Sequence, residues 1–180
     1  MKRCFICIDF PKQIREKVKR IQDNLPEFKG KKTEIENLHL TLKFLGEIEE
    51  EKILKVKENL KKIKLKKFKI KINKIGVFSE KFIRIVWLGV DEQDEESKKL
   101  WDLQKEIDNK LNGIFEKEKR FMGHITIARV KNIKDKKKFL DRLNEIKINV
   151  DFEVREFKLK ESILKPEGPE YKDIEVYYLE

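Results

Sequence analysis

The chain lacks the features of a membrane, secreted or multidomain protein. No apolar run approaches the roughly 20 residues that a membrane-spanning helix needs. The N-terminal segment MKRCFICIDF has basic residues before an apolar stretch, but the stretch is too short for a signal peptide and contains Asp9. No linker rich in Pro, Gly or Ser divides the sequence. We therefore expect a cytoplasmic protein with one domain over residues 1–180.

Cysteine is also scarce, since the chain contains only Cys4 and Cys7. Their C-x-x-C spacing occurs in redox and metal sites, but a second C-x-x-C that would complete a zinc site is absent. The surrounding RCFICIDF alternates like a β-strand, on which residues three apart point to opposite faces. We therefore predict that both cysteines are small residues of the core.

Charged residues are abundant, with 44 Lys and Arg against 34 Asp and Glu and a net charge of +10. Such a balance favours a polyanionic partner such as nucleic acid. Enrichment in Lys, Glu and Ile is equally typical of a heat-adapted protein, however, and the acidic residues are interspersed with the basic ones. The charge therefore supports a nucleic-acid partner without identifying it.

Apolar periodicity predicts an α+β fold. The alternation typical of β-strands occurs at 2–9, 38–45, 67–76, 82–90, 124–130, 151–160 and 173–179. The spacing typical of amphipathic helices runs from Ile14 to Leu25, Ile53 to Ile63, Leu100 to Leu111 and Phe139 to Ile146. Because several connections between strands are short, we expect antiparallel or mixed sheets.

The only two histidines, His39 and His124, each begin an H-x-T motif, in HLTL at 39–42 and HITI at 124–127. The chain has three threonines, so a single match of this kind by chance has a probability of 3/180, and the repetition indicates a function. The motifs lie 85 residues apart, and each predicted strand follows one helix and precedes another. We therefore predict two similar β-α-β lobes, related by a pseudo-two-fold axis, whose sheets face a central cleft.

The two motifs suit proton transfer at a bound anion. Residues i and i+2 of a strand point the same way, about 7 Å apart, so Thr41 projects with His39 and Thr126 with His124. If the lobes face each other, a neutral imidazole can accept a proton while a charged one donates a proton. The hydroxyls can bind the oxygens of an anion. This set of groups suits in-line displacement at a phosphodiester.

The alternative interpretation is structural, because a single histidine on a strand is more often a partly buried residue of the fold. The functional interpretation depends on the pair of motifs, which uses every histidine of the chain. Two histidines with no carboxylate or cysteine beside them in sequence are a thin set of metal ligands. We therefore expect neither a metal nor a cofactor.

The motifs and their flanks resemble a known family. The segments that carry the resemblance are NLHLTLKFLGEI at 37–48, IRIVWLGV at 83–90, RFMGHITIARV at 120–130 and ESILKPEGPEY at 161–171. With the first strand and helix, the resemblance spans nearly the whole chain. It is to the 2H phosphoesterases, and most closely to their RNA 2′,3′-cyclic phosphodiesterase branch, which is also called 2′-5′ RNA ligase-like.

This resemblance implies that the enzyme hydrolyses a terminal 2′,3′-cyclic phosphate of RNA to a 2′-phosphate. It implies that His39 is the general acid and His124 the general base, with Thr41 and Thr126 on the phosphate. His39 would then lie on the side of the departing 3′-oxygen. The reverse reaction would join the cyclic end to a 5′-hydroxyl.

The resemblance also implies two substrate contacts, Arg129 to the phosphate and Phe44 to the nucleoside. Each lies five residues after its histidine, an odd offset that strict alternation would turn to the other face, so a β-bulge or a strand end is needed. A structural arginine and a core phenylalanine are the alternatives. The sequence departs from the family at Gly123, where proline is common, and glycine loosens the entry to the second motif strand.

The implied partners are RNA 3′ ends with a 2′,3′-cyclic phosphate, tRNA fragments among them, and we expect a monomer. The basic residues from Lys131 to Lys138 could follow an RNA backbone, although a solvated start of a helix is the commoner meaning of such a run. Two other functions stay open. A non-catalytic RNA-binding module would not need both H-x-T motifs, and a phosphodiesterase for small cyclic nucleotides would not need the positive charge.

Overall fold

The computed structural model describes residues 1–180 and contains four α-helices and nine β-strands. The helices are α1 (Lys12–Asp23), α2 (Glu50–Leu60), α3 (Lys99–Lys110) and α4 (Lys136–Glu145). The strands are β1 (Lys2–Asp9), β2 (Lys29–Lys32), β3 (His39–Ile48), β4 (Phe68–Val77), β5 (Ile85–Val90), β6 (His124–Asn132), β7 (Val150–Val154), β8 (Glu156–Lys165) and β9 (Gly168–Tyr178). No helix has the length and apolar character that crossing a membrane requires. The predicted α+β class is confirmed.

One strand prediction is wrong in detail, and one strand was not predicted. The segment predicted as one strand over 151–160 is two strands, β7 and β8, which separate at Arg155. They pair far apart in the sheet, β7 with β4 and β8 with β1. The sequence does not predict β2, because its residues KGKK are all exposed and show no apolar alternation. Every strand pair is antiparallel, which decides between the antiparallel and mixed alternatives.

All nine strands form one sheet, in the order β7-β4-β5-β6-β3-β1-β8-β9, with β2 paired to β6. The motif strands β3 and β6 lie side by side at its centre, where Leu40 pairs with Ile125. One half of the molecule runs β1-α1-β3-α2 and the other runs β5-α3-β6-α4. A strand that follows each half pairs with the first strand of the other, β4 with β5 and β8 with β1. The predicted arrangement of two similar lobes is confirmed.

One core of 38 buried residues holds the sheet and the helices together. Each helix contributes the apolar residues of its periodic face, such as Ile14 and Val18 of α1. Five successive residues of β1, from Cys4 to Ile8, are buried, so both faces of this strand are covered. Burial of each large apolar side chain contributes about 1.5–3 kcal/mol. Both cysteines are buried free thiols, as predicted, and burial raises the pKa of Cys4 to about 11.

Candidate active site

The two motif strands present their side chains in the same way. β3 and β6 each begin at the motif histidine, and burial follows the same pattern along both strands. His39 and Thr41 are partly exposed on one face of β3, while Leu40 and Leu42 are buried on the other. The second motif repeats this arrangement on β6. The alternation predicted for both H-x-T segments is therefore present.

A β-bulge then explains the odd offset of the two further candidate residues. The pairing of β3 with β1 passes over Leu42, and the pairing of β6 with β5 passes over Ile127, at the equivalent position. An extra residue of this kind reverses the faces of the residues that follow it. Phe44 and Arg129 are consequently exposed, on the histidine side of their strands.

All six predicted site residues line one cavity of about 900 Å³. They are His39, Thr41, Phe44, His124, Thr126 and Arg129. The structure thus brings together residues from both halves of the sequence. It also gives Arg129 and Phe44 positions at the cavity wall, rather than in the core or on a remote surface.

The same hydrogen bond fixes each imidazole. His39 Nδ1 lies 2.7 Å from the carbonyl oxygen of Asn37, and His124 Nδ1 lies 2.9 Å from that of Met122. A carbonyl oxygen can only accept, so Nδ1 of each ring carries the proton that it donates. Nε2 is therefore the nitrogen of each ring that is free to accept or donate a proton in the cavity.

Burial lowers the pKa of His39. Its ring centroid lies 5.0 Å from that of Phe5 and 5.1 Å from that of Tyr171, and such apolar surroundings disfavour the charged ring. The hydrogen bond to Asn37 and the Asp9 carboxylate raise this pKa but do not outweigh the burial, while the positive charges of Lys160 and His124 add to the lowering. The surroundings of His39 therefore favour the neutral ring in the free protein.

Asp9 belongs to a network of ion pairs behind His39, which also includes a contact of 3.6 Å between Lys158 and Glu156. Asp9 Oδ2 lies 2.7 Å from Lys160 Nζ and 3.2 Å from Lys158 Nζ. Asp173 contacts the same two lysines, at 3.1 and 2.8 Å. The positive charge of Lys160 lowers the pKa of His39 and so opposes the effect of Asp9.

His124 has different neighbours. Gly89 faces it on β5, whereas Asp9 faces His39 on β1. The ring of Phe78 meets the His124 ring edge-on, with the centroids 5.0 Å apart and the planes at 90°. The two histidines therefore occupy equivalent positions in the fold but unlike chemical surroundings.

The cavity wall carries charges of both signs and includes basic residues that the sequence did not single out. Strand β2 pairs with β6 and brings Lys31 and Lys32 to the cavity, and β1 adds Arg3. Lys31 and Lys32 form ion pairs with Glu34 and Asp23, whereas Arg129 forms none. The only signal for these lysines in the sequence was the overall positive charge. Tyr171, which also lines the cavity, ends the segment ESILKPEGPEY.

Gly123 is explained by a close approach rather than by looseness. A Cβ atom at this position would lie 2.7 Å from Leu100 Cδ2 of α3 and 3.4 Å from Val90 Cβ. The carbonyl oxygen of Gly123 accepts a hydrogen bond from Val90 N at 2.9 Å. Glycine therefore allows α3 to pack against the segment that leads into His124.

No three His, Cys, Asp or Glu side chains come together as a metal-ion site would require.

Comparison with known proteins agrees with the fold and the motifs. The profile of the family described as "LigT like Phosphoesterase" matches residues 8–87 and 90–171, and each matched segment contains one H-x-T motif. The RNA 2′,3′-cyclic phosphodiesterase of Methanocaldococcus jannaschii is 41% identical over 178 residues, which cover 96% of this chain and 98% of that protein. The protein of the same name from Archaeoglobus fulgidus is 39% identical over 178 residues, which cover 97% of this chain and 99% of that protein.

The fold is also that of TT0787 from Thermus thermophilus. Its crystal structure superposes with a TM-score of 0.83 at 24% identity, over 98% of this chain and 97% of that one. The fold and the paired motifs define a 2H phosphoesterase. The chain belongs to the LigT-like phosphoesterase family, and its enzyme class is that of the phosphoric diester hydrolases.

Proposed function

We propose that the protein hydrolyses the terminal 2′,3′-cyclic phosphate of RNA to a 2′-phosphomonoester, with its two histidines as acid and base. The observation that carries this proposal is that His39 and His124 both lie at the wall of one cavity, and that each is held by a hydrogen bond from its Nδ1 to a backbone carbonyl oxygen. That arrangement leaves two Nε2 atoms free for proton transfer. The names of the curated relatives support the same reaction.

The steps follow from in-line displacement at phosphorus. His124 Nε2 accepts the proton of the attacking water, and the P–O3′ bond breaks on the opposite side of the phosphorus. His39 Nε2 donates its proton to O3′. Thr41 and Thr126 donate hydrogen bonds to the non-bridging oxygens as negative charge develops on them.

The two remaining cavity residues bind the substrate outside the reacting atoms. Arg129 has no carboxylate partner, so its guanidinium is available for the phosphate. Phe44 is 67% exposed although it is a large apolar residue, and its ring can stack against the terminal nucleoside. The substrate is an RNA 3′ end, and tRNA fragments with a cyclic phosphate are candidates.

The acid role of His39 requires a change of its charge on binding. The lowered pKa favours the neutral ring in the free protein. A bound cyclic phosphate carries a negative charge beside the ring and raises its pKa. The proton that His39 later gives to O3′ is therefore taken up with the substrate. No step needs a metal ion, and we propose that the reaction is metal-independent.

The proposal is tested with an oligoribonucleotide that ends in a 2′,3′-cyclic phosphate, in the presence of EDTA. We expect hydrolysis at an undiminished rate, and we expect chromatography to identify a 2′-phosphate as the product. A 3′-phosphate would mean that O2′ leaves and would reverse the position of His39. Loss of activity with the chelator would contradict the two-imidazole scheme.

Variants of the two histidines provide the control. We expect His39→Ala and His124→Ala each to lower the rate by roughly 10²–10⁴-fold, with circular dichroism unchanged. A variant that keeps near-normal turnover would remove that residue from catalysis. Binding of the RNA without any turnover by the parent protein would favour the non-catalytic module.

The same groups can transfer the cyclic phosphate to another RNA strand. If a 5′-hydroxyl takes the place of water, His124 accepts its proton and a 2′–5′ phosphodiester forms. This ligation needs no further reactant, because the cyclic phosphate supplies both the phosphorus and the leaving oxygen.

A further inference from the structure

Two phenylalanines next to the cavity are exposed in a way that the hydrolysis of a cyclic phosphate does not require. Phe78 and Phe82 lie in the loop that joins β4 to β5, and they are 53% and 64% exposed. Large apolar side chains in water are costly unless something covers them. Phe78 lies edge-on to His124, so this exposed pair begins beside the ring that we propose as the base.

The side of the phosphorus on which the two phenylalanines lie decides which substrate group they can bind. In an in-line displacement, the attacking and the leaving oxygen lie on opposite sides of the phosphorus, and the base lies on the attacking side. His39 also has an edge-on aromatic neighbour, Tyr171, but this residue is half-buried in the wall of the main cavity. Phe5, the other aromatic neighbour of His39, leads to Phe44, which we assign to the nucleoside of the cyclic-phosphate strand. The aromatic surface that begins at Phe78 lies on the His124 side, and the group that it can hold is one that carries the attacking oxygen.

Positive charges lie close to Phe82, the outer residue of the exposed pair. Lys81 Nζ lies 5.5 Å from the centroid of the Phe82 ring, and Lys136 Nζ lies 6.0 Å from it. Lys136 Nζ donates a hydrogen bond of 2.7 Å to the carbonyl oxygen of Lys81, which ties the start of α4 to the loop. Arg84 follows in the same loop, and its Nη1 lies 3.5 Å from the carbonyl oxygen of Lys131. None of these cations forms an ion pair with a carboxylate.

Aromatic faces interleaved with unpaired cations are typical of surfaces that bind single-stranded nucleic acid, because bases stack on the rings and phosphates contact the cations. We propose that Phe78, Lys81, Phe82, Arg84 and Lys136 form an acceptor surface that binds an RNA strand by its 5′-hydroxyl end. The inference rests on the proposed function, since it takes His124 as the base.

The acceptor surface gives the ligation reaction its second substrate. The bound strand presents its 5′-oxygen to the cyclic phosphate, and the O5′–P bond forms as the P–O3′ bond breaks. The proton of the 5′-hydroxyl passes to His124 Nε2, and His39 Nε2 gives a proton to O3′. Atoms and charges balance with no other reactant, and the product is a 2′–5′ linked RNA.

The test is the binding of a fluorescent oligoribonucleotide that has a 5′-hydroxyl and a 3′-hydroxyl, with adenosine 2′-phosphate present to occupy the main cavity. We expect Phe82→Ala to raise the Kd by about tenfold, and Phe82→Tyr to restore binding because it keeps the ring. Lys136→Gln should weaken binding less and reduce its dependence on salt. Leu54→Ala is the matched control, since Leu54 is 54% exposed on α2, and it should leave the Kd unchanged.

Hydrolysis of a nucleoside 2′,3′-cyclic phosphate is measured on the same variants, and we expect it to stay within twofold of the parent rate. Equal binding of the oligonucleotide by Phe82→Ala and the parent protein, or no binding by the parent, would overturn the acceptor surface. A parallel loss of hydrolysis in Phe82→Ala would also overturn it, because the loop would then serve the cyclic-phosphate strand. Failure of the parent protein to hydrolyse any cyclic phosphate would instead refute the proposed function.

Discussion

His39 and His124 start from equivalent positions in two strands, and their neighbours make them chemically different. Asp9 and its two lysines lie behind His39, while a glycine occupies the matching position beside His124. Burial lowers the pKa of His39 in the free protein. An acid and a base cannot share one protonation state, so a symmetric fold needs this kind of local asymmetry to run directional chemistry.

The pH dependence of the reaction tests the role of His39. An acid must be protonated, so activity falls as pH rises through its pKa. The alkaline limb of the pH profile of kcat/KM reports the free enzyme, in which burial lowers the pKa of His39. The alkaline limb of the pH profile of kcat reports the enzyme–substrate complex. Because the bound phosphate raises this pKa, we expect the alkaline limb of kcat to lie at higher pH than that of kcat/KM. Coincident alkaline limbs in steady-state kinetics would assign the acid role to another group.

The free energy of unfolding should also depend on pH through His39. Since the folded protein disfavours the charged His39 ring, the unfolded chain binds more protons below about pH 6.5. The contribution of His39 is fully present above the ordinary histidine pKa and is lost as pH falls below it. We expect His39→Gln to lose less stability than the parent protein between pH 7 and pH 5, measured by urea unfolding. Parallel curves for the two proteins would show that burial does not hold the ring neutral.

At the scale of the elements, each motif strand is held at its bulge by a polar side chain from a helix. The buried Gln22 of α1 donates hydrogen bonds of 2.8 Å to the carbonyl oxygens of Ile127 and Thr33. On the other strand, Lys43 follows the bulge and forms a buried ion pair of 2.6 Å with Asp108 of α3. These contacts fix the point at which β3 and β6 reverse their faces.

Gln22→Leu removes both donors while it keeps a side chain of similar size. We expect it to lower the free energy of unfolding by about 1–3 kcal/mol, because buried carbonyl oxygens lose a partner. We also expect a lower kcat/KM, since the bulge sets the direction of Arg129. Urea unfolding and steady-state kinetics on the purified variant check both effects. Gln13→Leu on the exposed face of α1 is the control, and equal behaviour of the two variants would remove Gln22 from this role.

The sequence predicts the elements whose burial is periodic and misses those whose partners lie far away in the chain. The four helices and the motif strands follow from their own spacing. In the segment VDFEVREFKLK the alternation shifts by one residue at the charged pair Arg155 and Glu156. The shift marks the point where β7 and β8 separate, but only the pairing partners reveal that the two strands lie far apart in the sheet. The odd offset of Phe44 and Arg129 from their histidines predicted either a β-bulge or a strand end. The spacing alone could not decide between the two. The acceptor surface had no periodic signal at all.

At the scale of the whole molecule, the net charge of +10 acts on long substrates more than on short ones. We expect kcat/KM for a cyclic-phosphate oligoribonucleotide to fall by about twentyfold between 50 and 200 mM salt, as for about three phosphate contacts on a single strand. A nucleoside 2′,3′-cyclic phosphate, assayed in the same buffers, should show a much smaller change. Equal salt dependence of the two substrates would favour a small cyclic nucleotide as the natural one.

The exchange of strands across the centre of the sheet means that neither copy of the motif can be separated from the other. A cut in the loop after Val77 would leave β4 without β5 and β7, and β1 without β8. Each fragment would expose open strand edges, which invite aggregation. Only reassembly of the two pieces would bring the two imidazoles together again. Unfolding of either half therefore abolishes the activity of the whole enzyme.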